Sequence, residues 1–211
     1  MTDQTRPFDT LADSATIEKT IAALKSNGIS AQLVTDRASA KAAVAELLPA
    51  GAEVMNMTSI TLEESGIETL VNDSSKYTPV KATLAKMDRA TQGKQMQQLG
   101  AAPEWVVGSV HAVTEDGVVV IASNTGSQLP AYTYGAQHVI WVVGTQKIVS
   151  SVDQAMKRIK DYITPLESVR ARKAYGLPET FNSYASKVVL FNREVSPDRV
   201  HLIFVNEKLG F

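Results

Sequence analysis

Apolar positions along the chain follow two periods. From Ser14 the spacing of Ile17, Ile21 and Leu24 marks one helical face, and Asn27-Gly28 offers a C-terminal stop. Residues 31–35 read as a short strand. Asp36 is placed to cap a second helix with an apolar stripe of Ala40, Ala43, Val44, Leu47 and Leu48, ended by Pro49-Ala50-Gly51. Residues 53–57 return to strand, and after Thr58-Ser59 the run Thr61-Leu62-Glu63-Glu64 fits a capping box opening a third helix. Helix alternating with strand predicts a parallel sheet covered by helices.

Residues 72–102 break this rhythm. They are polar and helix-prone, with few large apolar side chains, and are expected to form a helical excursion within the same domain. Strand patterning then dominates: residues 105–108, then 112–114 and 118–122 flanking Glu115-Asp116-Gly117, a good hairpin signal. The run Val139-Ile140-Trp141-Val142-Val143, closed by Gly144, predicts a buried strand. Residues 151–163 form an amphipathic pattern through Val152, Met156, Ile159 and Ile163, and Pro165 starts a further helix. Residues 188–191 and 200–205 are expected to pair across the turn Ser196-Pro197-Asp198-Arg199. No internal repeat emerges. The expected class is α/β, with a mixed, mostly parallel sheet covered by helices, after a flexible start at residues 1–12.

With 211 residues the chain can bury a core unaided. Its formal net charge of −1 gives no global pull towards nucleic acid or an anionic membrane. There is no cysteine, which excludes a disulfide, a thiolate nucleophile and an iron–sulfur cluster held by this chain's own thiolates. No apolar run approaches the ~18 residues of a membrane span, and the start MTDQTRPFDTLADSA lacks a signal-peptide pattern. A soluble, cytoplasmic protein is expected.

Candidate chemistry is sparse. His111, His138 and His201 have no metal-ligand spacing, and no metal is expected. No dinucleotide fingerprint, P-loop or nucleophile elbow is present. Two polar loops after strands remain. Thr58-Ser59 leads into a helix start, where backbone N–H groups and the helix dipole favour an anion. Asn124-Thr125-Gly126-Ser127 follows the buried run ending at Ile121, and reads either as an ordinary loop or as a ligand cradle. Open α/β sheets bind ligands beyond the carboxyl ends of their strands, where both loops could meet. The basic residues Lys157, Arg158, Lys160, Arg170, Arg172 and Lys173 form either a solvated face or a positive rim drawing in a carboxylate or phosphate.

Several segments, in order, resemble a known family. Residues 108–117 (GSVHAVTEDG) are similar to its G-x-N-A-I-T-E-D-G segment, and Asn124-Thr125-Gly126-Ser127 follows at the family's spacing. Residues 135–144 with Lys147-Ile148-Val149 are similar to G-P-x-x-V-I-x-V-x-G-x-x-K-I-V. The helix around residues 154–159 and the ending Glu207-Lys208-Leu209-Gly210-Phe211 complete the resemblance. This is the pattern of the LUD (lactate utilisation) domain family, of the LutC/YkgG type. It covers residues 107–159 and the C-terminus most strongly, and residues 17–70 more weakly.

The resemblance implies one LUD domain over residues 13–211, with a fold related to ribose-5-phosphate isomerase and CoA transferases. It implies a role in oxidising L-lactate to pyruvate beside partner subunits that carry iron–sulfur clusters. Two positions depart from the family pattern. Asn124 stands where many members and CoA transferases have a glutamate, and asparagine cannot form an acyl anhydride; it can orient a carbonyl or stabilise developing negative charge. His111 replaces the usual asparagine, and either packs or acts as an acid–base group near neutrality. Asn124 and His111 are therefore the catalytic candidates, and Thr58, Ser59, Asn124, Thr125, Gly126 and Ser127 the ligand-binding ones. A non-catalytic subunit, a stand-alone enzyme and a metabolite-binding module all remain open. The expected ligand is a small carboxylate or phosphate, and a homodimer is the expected assembly.

Overall fold

The structure, a computed structural model, describes residues 7–211. Of the start expected to be flexible, residues 1–6 lie outside the described residues; beyond them Phe8 packs on Tyr162 and Ala12 is buried.

A parallel sheet of six strands forms the centre, in the order β1 (Ser30–Val34), β10 (Val200–Val205), β7 (His138–Gly144), β4 (Trp105–Gly108), β2 (Glu53–Asn56) and β3 (Thr78–Pro79). Every neighbouring pair in it is parallel. Strict alternation along its central strands explains why both faces need covering. Val139, Trp141 and Val143 of β7, with Val200, Leu202 and Phe204 of β10, enter one core. Ile140 and Val142, with Ile203 and Val205, enter the other.

Helices cover the second face. α2 (Arg37–Leu47) is capped by Asp36, whose carboxylate accepts from the Ser39 N–H, as the sequence predicts. α3 (Ile60–Glu64) and α4 (Ile67–Val71) add Leu62, Ile67, Leu70 and Val71 to the same core. On the first face lie α1 (Ser14–Ser26), capped by Asp13, and a second sheet. That sheet has the order β8 (Ile148–Val149), β5 (Ala112–Thr114), β6 (Val119–Ser123), β9 (Lys187–Phe191). The outer side of this second sheet packs on Ala155 of α7 (Val152–Arg158) and on Ile159 and Ile163 of the widened turn that leads into α8 (Thr164–Tyr175).

The α/β class with a mostly parallel sheet is as the sequence implies, and four local expectations need correction. β9 and β10 do not pair with each other. β9 runs antiparallel to β6, while β10 is inserted between β1 and β7. The half-exposed β9 pattern suits a sheet edge, whereas β10 is buried almost throughout and can only be central. The 72–102 segment holds, besides α5 (Val80–Leu84) and α6 (Arg89–Ala101), the edge strand β3. Met156 points to solvent, and Arg158 takes the buried position on α7. The capping box at Thr61 does not form: the helix begins two residues earlier, with Ser59 at its N-cap and no side-chain cap bond, and the Thr61 hydroxyl donates to the Leu209 carbonyl instead.

Candidate functional site

Parallel strands deliver their carboxyl ends to one edge of a sheet. Here β2 runs out into Thr58 and Ser59, β4 into Ser109, and β7 into the tight turn carrying Lys147. A cleft of about 480 Å³ opens there, and the loop after β6 closes its other wall. Of the six ligand-binding candidates, Thr58, Ser59, Asn124, Thr125 and Ser127 line this cleft; Gly126 does not. The two polar loops are thus brought together.

The residue at the floor is Lys147, which sequence reasoning used only as part of a family motif. Its side chain is 2% exposed. The Nζ lies 3.0 Å from the Thr61 hydroxyl, 3.1 Å from the Ser109 hydroxyl and 3.3 Å from the Val110 carbonyl. All three partners are neutral. Burial, then the nearby Arg158 guanidinium, push the ammonium down to about 7, against a weaker opposing pull from Glu64. An amine that loses its proton near neutrality can act as cation, acid, base or nucleophile.

The cage around Lys147 depends on the C-terminal segment. The Thr61 hydroxyl donates to the Leu209 carbonyl at 3.3 Å, and Gln146 Nε2 donates to the same carbonyl at 2.9 Å. Gly210, in the left-handed region at φ 59°, donates its N–H to Glu64 at 2.7 Å. A Cβ there would run into the Thr61 hydroxyl, so only glycine lets the chain end pass this close. The family-like ending therefore acts as the support behind Lys147.

Beside it, His111 Nδ1 accepts from the Ala122 N–H at 3.1 Å, which places the ring proton on Nε2. Burial first, then the charges of Lys147 and Arg158, push its pKa down to about 3. Of the two roles open to His111, acid–base titration near neutrality is not the one these surroundings favour; the ring stays neutral and presents an N–H donor. Arg158, fully buried, donates to the His111 carbonyl at 2.7 Å and to the Phe8 carbonyl, and its guanidinium stacks over Tyr162. This Arg was expected on a solvated face or a rim and instead braces the strand behind the site. Lys157, Lys160 and Lys173 are solvent-exposed, while Arg170 reaches the cleft, held by Glu167 in a bidentate pair at 2.6 Å.

Tyr132 closes the floor from the π-helical turn Ala131–Gly135. Its phenol donates to the Ser109 carbonyl at 3.4 Å, and burial raises its pKa far above the ordinary tyrosine range. The ring fits because Gly108 has no side chain; a Cβ there would overlap the phenol. Gly108→Ala is expected to lose about 1–3 kcal/mol of stability by overpacking, read from a urea midpoint at unchanged slope. A loss near zero would mean that Tyr132 moves freely.

Two of the four N–H groups in the loop after β6 are taken up within the loop itself. The Gly126 N–H donates to Ser123 Oγ at 2.8 Å and the Ser127 N–H to Thr125 Oγ1 at 3.3 Å. Short polar side chains close such turns on themselves. The exposed side chains of Asn124, Thr125 and Ser127 face the cleft instead. α3 is also too short, at five residues, to supply much dipole at Thr58-Ser59. At the opposite end Glu68 joins Asn56 and Lys81, at 3.2 and 3.1 Å. The remaining histidines lie elsewhere: His138 stacks on Trp105, and His201 meets the Asp198 carbonyl.

A family model described as LUD domain matches residues 17–205. A crystal structure of a DUF162 family protein from Deinococcus radiodurans is similar over 93% of this chain and 100% of its own, with a TM-score of 0.55 at 14% identity, a likeness of fold. Ribose 5-phosphate isomerase from Plasmodium falciparum matches over 77% of this chain and 79% of its own, with a TM-score of 0.34 at 12% identity. No curated protein matches the chain. Among the described residues, no helix is long and apolar enough to cross a membrane.

Proposed function

The chain belongs to the LUD domain family, and we propose that it serves lactate utilisation by holding a small 2-hydroxy or 2-oxo carboxylate in the cleft. The observation that carries this reading is Lys147, buried at the floor among hydroxyls, with the side chains of Thr58, Ser59, Asn124, Thr125 and Ser127 around the mouth. The loop hydroxyls and Asn124 receive the carboxylate. Lys147 and the His111 Nε2–H face the oxygen on C2, where a cation and a neutral donor favour either a hydroxyl or a carbonyl.

Oxidation of lactate needs an electron acceptor, and the donors present here do not fit an iron–sulfur cluster. The chain has no cysteine, and among the described residues no group of three or more His, Asp or Glu could hold a metal ion. On this reading the clusters reside on partner subunits, in the cytoplasm, and this chain contributes substrate binding only.

A second reading draws on size. A cleft of about 480 Å³ falls in the range that takes ligands larger than a three-carbon acid, and Arg170 and Lys81, each paired with a carboxylate, also line it. A phosphorylated metabolite would use them.

Calorimetric titration with L-lactate, pyruvate and sugar phosphates separates the two. Lactate is expected to bind, and its affinity to fall by up to ~10-fold per pH unit above pH 7 as Lys147 loses its proton; Lys147→Met is expected to abolish both the binding and its pH dependence. Binding of sugar phosphates alone would transfer the conclusion to the second reading. Binding of neither would overturn both.

A further inference from the structure

We propose that Lys147 forms a reversible imine with the carbonyl carbon of a 2-oxo acid, so that the cleft captures the oxidised form of its ligand covalently. This rests on the carboxylate reading above. Its ground is the geometry of the amine. The Thr61 hydroxyl donates onward to the Leu209 carbonyl and so presents a lone pair to Nζ, and the Val110 carbonyl can only accept. Those two acceptors take the two N–H bonds of a neutral amine. As an ammonium Lys147 donates its third N–H to the Ser109 hydroxyl at 3.1 Å; once that proton is lost, the hydroxyl, which can turn, donates to the nitrogen lone pair instead. A neutral lysine therefore satisfies its whole cage, and its reactive lone pair is held by one exchangeable hydroxyl. None of these three partners is a carboxylate.

Burial lowers the pKa of Lys147 most, and the charged groups facing it act in opposite directions, the lowering one being the stronger. Arg158 on α7 opposes its charge, Glu64 on α3 favours it more weakly, and the neighbouring His111 is neutral. The amine titrates at about 7, so both forms are present at neutral pH. Surface lysines are almost wholly protonated there.

The Nζ lone pair attacks C2 and the carbonyl electrons move to oxygen. A proton passes from nitrogen to that oxygen, relayed by the Ser109 hydroxyl, to give the carbinolamine. A second proton, from solvent, lets the oxygen leave as water while nitrogen forms the double bond to carbon. The product is a protonated imine, and water reverses it. No oxidant is consumed. L-Lactate, with a hydroxyl in place of the carbonyl, occupies the same place without reacting.

Borohydride trapping tests this. The full-length protein is incubated with pyruvate, reduced with sodium borohydride, and measured by intact mass and peptide mapping. One adduct per chain is expected, adding the mass of pyruvate less one oxygen, at Lys147. It should be suppressed by excess L-lactate, grow from pH 6 to pH 8 at saturating pyruvate, and vanish in Lys147→Arg, which keeps the cation. If that variant does not fold, peptide mapping of the wild-type protein decides alone. An adduct absent, or spread over surface lysines, while pyruvate still binds by calorimetry would overturn the imine and leave the carboxylate reading standing. Absence of both adduct and binding would overturn both.

Discussion

Replacing Arg199 with methionine is expected to cost about 3–5 kcal/mol of folding stability, the loss typical of breaking a buried ion pair from one side. Arg199 and Glu194 meet at 2.7 Å with side chains only 9% and 7% exposed. Burial pushes the Glu194 carboxyl up, but the N–H groups of Ser196 and Val195 and the guanidinium outweigh it and hold it below its ordinary value. The same guanidinium donates to the carbonyls of Ala131, Tyr132 and Ala136 at 3.0–3.2 Å. Methionine would leave one carboxylate and three carbonyls without this donor. For a chain of this size the melting temperature should fall by roughly 10 °C. Adding Glu194→Gln should restore part of it, because the uncompensated charge is then gone. A loss below about 1 kcal/mol would mean that the pair behaves as a solvated one. The consequence for the site is direct: these carbonyls belong to the turn that holds Tyr132 against Gly108, so ligand affinity should fall in the single variant and stay low in the double, which still lacks their donor.

The architecture was readable where a pattern had one physical solution. Val139 to Val143 is apolar on every residue, and only a strand with both faces covered satisfies that. Asp36 capped its helix because a side-chain acceptor three residues before Ser39 has an N–H to take. Pairing partners were less legible, since a strand's composition states how buried it is but not which neighbour buries it. β9 and β10 lie close in sequence around a good turn signal, yet belong to different sheets.

The site was half legible for a related reason. Polar loops after strands reveal themselves by composition, and five of the six candidates line the cleft. Hydrogen bonding inside a loop does not, so the Gly126 and Ser127 N–H groups looked available when their own loop uses them. Lys147 was the larger omission. A lysine between Gly144-Thr145-Gln146 and Ile148-Val149 is the one charge in a buried stretch, and that contrast was the available signal. What sequence could not supply is the cage: Thr61 and Ser109 lie 86 and 38 residues away along the chain.

Lys147 and His111 together should shape stability against pH, and two variants separate them. The folded pKa of Lys147 is about 7 against an ordinary 10.5. Between those values the unfolded chain binds the proton that the folded one has lost, so stability rises with pH across this window and is lowest, for this group, below pH 7. His111, at about 3 against 6.5, behaves likewise at lower pH: stability rises from about 3 to 6.5 and is lost on acidification. At about 1.4 kcal/mol per unit, each group changes stability on the order of 5 kcal/mol across its full window. The Tyr132 phenol, held protonated by burial, sets the opposite slope above its ordinary value near 10. Urea unfolding from pH 4 to 10 should therefore show a rise that continues past neutrality. Lys147→Met is expected to flatten the limb above pH 7 and, by removing a cation beside His111, to move the acid limb to higher pH. His111→Asn is expected to flatten the acid limb and leave the alkaline one. If Lys147→Met keeps the wild-type slope between pH 7 and 10, the buried amine is charged throughout that range, and the site holds a permanent cation in place of a titrating one.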